Sequence, residues 1–345
     1  MIDFRYHLVS LVAVFLALAV GIILGAGPLQ GTLGQQLSDQ VSGLRDEASS
    51  LRGELSTTRA NASAQEQFIE AAGPTLVDST LHGRNVAVVT LGDVNRADAT
   101  AVSTLLESAG ATEVADVDVT QAWTNADSAE VRDTFAGGIN EQYAASLGIT
   151  DETPSTDVLA AALTSMLTSD PAADTENDSL ASQLAASGLV NIRGDRTAAA
   201  DSIIFIAGIP SDLSAPTASP SPAADGQVAD PVEDPAVTYA GLARIAGAAV
   251  PVVVAAPTTT DGDILHAIAN DSVAAGVVST VSGVETVAGQ IQTPLALATR
   301  IAGTVDHFGF GRNETVLPPI RRVDPAPEPG STQPESADTS AQPTD

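Results

Sequence analysis

The chain has 345 residues, enough for one or two globular domains with appendages, and 44% are hydrophobic although only 3% are aromatic. Forty-three acids face 14 bases, all of them arginine, for a formal charge of −29; such a surface repels phosphate backbones and excludes nucleic acid as a partner. With no cysteine there is no disulfide, no thiolate nucleophile and no Cys-based metal site.

Residues 1–7 are a short N-terminus with a single base, Arg5. The 22 residues 8–29 carry no charge, and at about 1.5 Å per helical residue they reach about 33 Å, enough to cross a hydrocarbon core of about 30 Å. The stretch reads as a transmembrane anchor in the lipid bilayer. A cleaved signal peptide is the rival reading, because Leu24-Gly25-Ala26-Gly27 supplies small residues, but one arginine is a poor positive region and the apolar run is long for a signal. No base follows until Arg45, so positive-inside logic keeps the N-terminus cytoplasmic and sends the bulk of the chain outside. Within the anchor, Ala13, Ala17, Gly21 and Gly25 recur every fourth residue and form a ridge along which two membrane helices can approach.

From residue 33 to 72 apolar or small residues fall alternately four and three apart: Leu37, Val41, Leu44, Ala48, Leu51, Leu55, Thr58, Ala62 and Ile69, with charges off the seam. This spacing predicts a coiled-coil stalk and a homodimer; an amphipathic helix lying on the protein's own globular part is the alternative. Gly73-Pro74 is expected to stop the helix.

A globular α/β domain follows over residues 82–319. Asn85–Leu91 reads as a buried strand, residues 97–109 as a helix stopped by Gly110, and Glu113–Val119 as a half-exposed strand, which together make a βαβ unit. Residues 129–147, 157–167 and 180–189 read as helices. Strands follow at 202–207, 252–255 and 277–281, with helices at 239–248, 263–269 and 286–305. The fold class is therefore a Rossmann-like, mostly parallel sheet of about five strands flanked by helices. Residues 211–235, rich in Pro, Ala, Ser and Asp, are expected to be a disordered insert, and residues 324–345 a disordered acidic tail.

Ligands of such a sheet sit beyond the carboxyl ends of its strands, where this chain offers Asp93, Asp118, Gly208, Asp261 and Asp263. Those aspartates are either a cation or acid–base site or, more plainly, turn residues and helix N-caps. No phosphate-binding glycine loop and no nucleophile elbow is present, and Gly309-Phe310-Gly311 reads as a helix exit. The four histidines are scattered and the only methionines are Met1 and Met166, so no metal or cofactor site is assigned and no catalytic one.

The opening Met1-Ile2-Asp3-Phe4-Arg5-Tyr6-His7-Leu8-Val9-Ser10, continuing to Gly21, resembles the actinobacterial MctB copper transporter family. Gln290 to Gly311, with Leu295-Ala296-Leu297-Ala298 and His307-Phe308-Gly309, is similar to that family's C-terminal signature, and the resemblance runs from Met1 to about Pro319. The family name implies copper efflux and copper homeostasis, with copper as the only ligand the resemblance brings. A related branch, SteB, implies a different role: an envelope partner of the membrane protein SteA in controlling a peptidoglycan hydrolase during cell separation. The anchor and stalk fit the second role better, as a self-associating scaffold and not an enzyme.

Overall fold

A computed structural model describes residues 4–26, 28–208, 234–258 and 263–326. The chain divides into two compact units, Met1–Gln67 and Phe68–Asp345.

The first unit is helical. Helix α1 spans Phe4–Ala26, and its stretch Arg5–Ile23 is long and apolar enough to cross a membrane, with none of it buried. Large apolar side chains leave it over most of its circumference, among them Leu8, Val9, Leu11 and Val14, and the remaining face carries the small Ala13, Ala17 and Gly21. A helix of that kind needs an apolar surrounding on all sides. Helix α2 spans Pro28–Val77, opening on Pro28 where a missing N–H costs nothing. The apolar run expected to form one span to Leu29 is thus divided between two helices. Gly73-Pro74 does not end α2, which continues to Val77. Val77 is fully buried, Leu76 packs beside it, and that burial outweighs the lost hydrogen bond at Pro74.

In the second unit β1 (Asn85–Leu91), α3 (Arg96–Ser108) and β2 (Thr112–Val119) form the expected βαβ unit, with β1 and β2 parallel and Leu91 opposite Val119. Asn95 caps α3 by accepting from Ala97 N, and Gly110, at φ +83°, turns the chain back into the sheet. Then come α4 (Ala129–Leu147), α5 (Ser155–Thr168), α6 (Thr175–Ala186), β3 (Val190–Arg193) and β4 (Ser202–Ala207). The unit continues with α7 (Pro235–Ala249), β5 (Val252–Ala256), α8 (Ile264–Asn270), α9 (Ala274–Val277) and β6 (Val278–Ser282). Helix α10 (Val287–Ile301) and β7 (His307–Phe308) close it.

The sheet has seven strands in the order β3-β2-β1-β4-β5-β6-β7, all parallel except β3, which runs antiparallel to β2. The five expected strands are its centre, and both edges are additions. β3 is four residues long with one buried side chain, too short to show alternation. β7 lies just beyond the helix expected to reach residue 305, which ends instead at Ile301. One sheet face, with Val89, Leu91, Phe205 and Val254, packs under α4 to α8. The other, with Val86, Val88, Ile204 and Val253, packs under α3, α10 and the last turns of α2.

Residues 211–233 of the expected insert lie outside the described residues. Its last two residues are instead the start of α7, where Asp234 accepts from Ala236 N and Pro235 sits in the first turn. Residues 327–345 of the expected tail also lie outside the described residues. Asp324–Ala326 are tied to the domain, Ala326 N donating to Gly83 O at 3.2 Å and Arg84 to Asp324 O at 3.4 Å.

Candidate functional site

Among the five inner strands the order is 2-1-3-4-5 of a doubly wound sheet, whose ligand crevice opens between the carboxyl ends of β1 and β4. Backbone fills that place here. Gly208 N donates to Leu91 O at 3.0 Å, and a Cβ on Gly208 would fall 1.9 Å from Asp93 O, so only glycine lets the two strand ends close up. Asp93 itself is exposed in the turn after β1. Tyr239 of α7 lies over this turn, and burial pushes its phenol up, opposed by a hydrogen bond with Thr124.

The other aspartates have local partners. Asp263 caps α8, accepting from His266 N at 2.9 Å. Asp118 lies on β2 beside Arg193 of β3, whose Nη2 reaches its Oδ1 at 2.5 Å; Thr90 donates to the same oxygen. Asp261 lies outside the described residues. Asp93, Asp118 and Asp263 thus belong to three elements, each with its own surroundings. No group of three or more His, Asp or Glu able to hold a metal ion occurs among the described residues.

Arg193 is the residue that reading by strand ends missed. Its Nη2 also reaches Asp116 Oδ1 at 3.1 Å, so one guanidinium bridges two carboxylates two residues apart on one face of β2. Asp116 is still raised from its ordinary value, because desolvation outweighs the guanidinium and Asp118 adds repulsion. Glu113, three residues earlier on β2, is raised mainly by desolvation, against a hydrogen bond from Ser103 of α3. The alternation of Asp116 and Asp118 with Val117 and Val119 is the visible signal for this polar edge; Glu113 is out of that phase because the pairing shifts register between Glu113 and Ala115.

At the ends of β5 and β6 the polar groups close on one another. Glu285 accepts from Thr258 N at 3.1 Å and from Thr258 Oγ1 at 2.5 Å. Ser282 donates to Glu314 at 2.6 Å, and Gly311 N donates to the same carboxylate oxygen at 2.6 Å. Gly309-Phe310-Gly311 is therefore a turn after β7, wrapped on Glu314, and not a helix exit. Gly309 sits at φ +145°, with Ser282 Oγ 1.9 Å from where a Cβ would stand.

The remaining candidate surface is helical. Leu37, Val41, Leu44, Leu51 and Leu55 of α2 are all exposed, from 38% to 65%. On α1 Ala13, Ala17 and Gly21 are exposed at four-residue spacing, and a Cβ on Gly21 would meet nothing within 4 Å. The surroundings of Gly25 lie outside the described residues.

A family model described as "Copper transport outer membrane protein, MctB" matches residues 1–319. The chain is 30% identical over 321 residues to "Copper transporter MctB" of Mycobacterium tuberculosis (strain ATCC 25618 / H37Rv), covering 90% of this chain and 97% of that protein. The same figures hold for the "Copper transporter MctB" of Mycobacterium bovis. A relative of the same name in Mycobacterium leprae is 42% identical over 130 residues, 38% of this chain and 41% of that protein. Matches that run from the first residue through both units to Pro319 establish that the chain belongs to the MctB family.

Proposed function

We propose that this protein is a single-pass, membrane-anchored envelope protein whose long helix self-associates and which serves as a scaffold for control of cell-wall hydrolysis. The row of exposed aliphatic residues on α2, Leu37 to Leu55 at heptad spacing, carries the reading. Five large aliphatics exposed on one stripe of an otherwise polar helix are an unsatisfied seam, and a second copy of the same stripe satisfies it. The apolar α1 supplies the anchor, with Arg5 on the cytoplasmic side and the α/β domain outside. The role described for the related SteB branch extends this reading to cell separation, with a SteA-like membrane protein and a peptidoglycan hydrolase as partners. Leu44→Glu with Leu51→Glu is the test. The double variant should turn a dimer in detergent into a monomer and reproduce the cell-separation defect of a deletion. A wild-type chain that is already monomeric, or normal separation with the variant, overturns the proposal.

Copper handling is the second reading, favoured by the names of the family and of its mycobacterial members. Copper would be cargo. Soft cuprous ion prefers sulfur, and here the sulfur donors are Met1 and Met166, the latter fully buried on the inner face of α5. A deletion strain with raised copper sensitivity, restored by this chain, would support that reading; unchanged sensitivity would end it.

A further inference from the structure

Two surface features of the α/β unit match each other: a strap that packs on the domain through buried Pro318 but leaves its neighbours exposed, and a groove floored by buried Ile139 and half-buried Phe135. The first is the strap that follows the Glu314 turn. Val316 O accepts from Gln292 at one end, and Val323 N donates to Thr80 O at the other. Between them, Leu317 and Ile320 are 55% and 53% exposed around a Pro318-Pro319 pair that stiffens the extended chain. Arg321 and Arg322 follow, also exposed, and neither makes an ion pair with a described residue. In a chain of charge −29, an apolar strap ending in two free arginines is a surface made for an acidic, apolar groove.

The second feature is such a groove. It lies between α4 and α6, with a volume of about 590 Å³. Val131, Phe135 and Ile139, spaced four apart on α4, line it, and Asp127 and Glu130 stand at one end. Gly138 leaves the groove open: a Cβ there would meet nothing within 4 Å, although glycine costs a helix interior about 1 kcal/mol. The apolar row is about 12 Å long by helical rise, and Leu317 and Ile320 stand about 9 Å apart in an extended proline-type chain. Between Leu317 and Arg322 no backbone group bonds to another described residue. Hydrocarbon would leave those groups unpaired, whereas a protein groove with Gln142 on its wall can bond them.

We infer that the strap of one copy docks in the α4/α6 groove of a second copy, Leu317 and Ile320 on the apolar row and Arg321-Arg322 against Asp127 and Glu130. Strap and groove lie on opposite faces of the sheet, so one chain cannot join its own pair, and the contact is head to tail, repeating into a row of domains. It is separate from the α2 seam and stands whether or not α2 pairs.

The cysteine-free chain makes the test direct. Full-length copies carrying Val131→Cys and copies carrying Ile320→Cys are reconstituted together and treated with a short bis-maleimide. A crosslinked dimer is expected from the mixture, none from either variant alone, and none when Val237→Cys, exposed on α7, replaces Val131→Cys. Arg321→Glu with Arg322→Glu should lower the yield about tenfold or more, and Asp127→Arg with Glu130→Arg in the other copy should restore it. Gly138→Leu, which favours the helix, should abolish the product by filling the groove. No product from the mixture, equal product from one variant alone, or failure of the charge exchange to restore it overturns the inference. Protection of Ile320→Cys from modification by phosphatidylglycerol vesicles without a second copy would assign the strap to lipid and also overturn it.

Discussion

Arg193 shows how a four-residue strand can decide the meaning of a carboxylate. Asp118 looked like a free ligand at a strand end, and only the antiparallel pairing of β3, which sets Arg193 opposite Asp116, turns it into half of an ion pair. No periodicity in Val190–Arg193 announces that strand. Arg193→Ala would leave two partly buried carboxylates side by side, and with these groups a quarter to a third exposed the expected cost is about 1–2 kcal/mol in urea unfolding. The pH dependence has a definite sign. Glu113 and Asp116 are raised in the folded state, mainly by desolvation, so the fold holds their protons more tightly than the unfolded chain does. That destabilisation is fully present above the raised values and relieved as pH falls through them toward the ordinary carboxylate range. The urea midpoint should therefore rise as pH falls through these raised values. Glu113→Gln with Asp116→Asn should flatten that slope, and Arg193→Ala should steepen it. At Gly208 the constraint is steric: Gly208→Ala places a methyl on Asp93 O and should cost at least about 1–3 kcal/mol by the same measurement.

Elements buried on both faces were legible because Val, Ile and Thr make up half or more of each: residues 85–91, 202–207 and 252–255 read as strands, and Asn85–Leu91, Ser202–Ala207 and Val252–Ala256 are strands. The failures lie where local chemistry and tertiary packing disagree. Gly73-Pro74 is a sound stop signal, yet α2 runs three residues past Pro74 because Val77 and Leu76 have a core to enter. The proline remains a local fault, lacking a donor and pressing on the carbonyl of Glu70, and Pro74 is exposed. Pro74→Ala should therefore raise stability, by up to about 3 kcal/mol, seen as a higher urea midpoint with an unchanged slope. An unchanged or lower midpoint would mean that the proline is needed to direct the chain into Thr80 and β1. His307-Phe308 failed for another reason: a two-residue strand has no pattern of its own, and it exists because β6 offers an open edge.

At the scale of the molecule, the sheet order and its two apolar faces depend on no residue before Ile69, since neither hydrophobic cluster contains one. Helix α1 has the opposite character, with Arg5–Ile23 entirely exposed among the described residues. Its length and apolar surface match the thickness of a bilayer's hydrocarbon core. Removing residues 4–26 should then have two separable effects. The protein should move from the carbonate-resistant membrane fraction to the soluble fraction, because the only span among the described residues is gone. The thermal midpoint of the α/β unit should stay within about 2 °C of the full-length value, because no core contact is lost. A truncated chain that still sediments with membranes would locate the attachment elsewhere, with the apolar strap at Leu317–Ile320 the first place to look. A truncated chain whose domain melts lower would show that α1 packs against protein, and the anchor reading would fall with it.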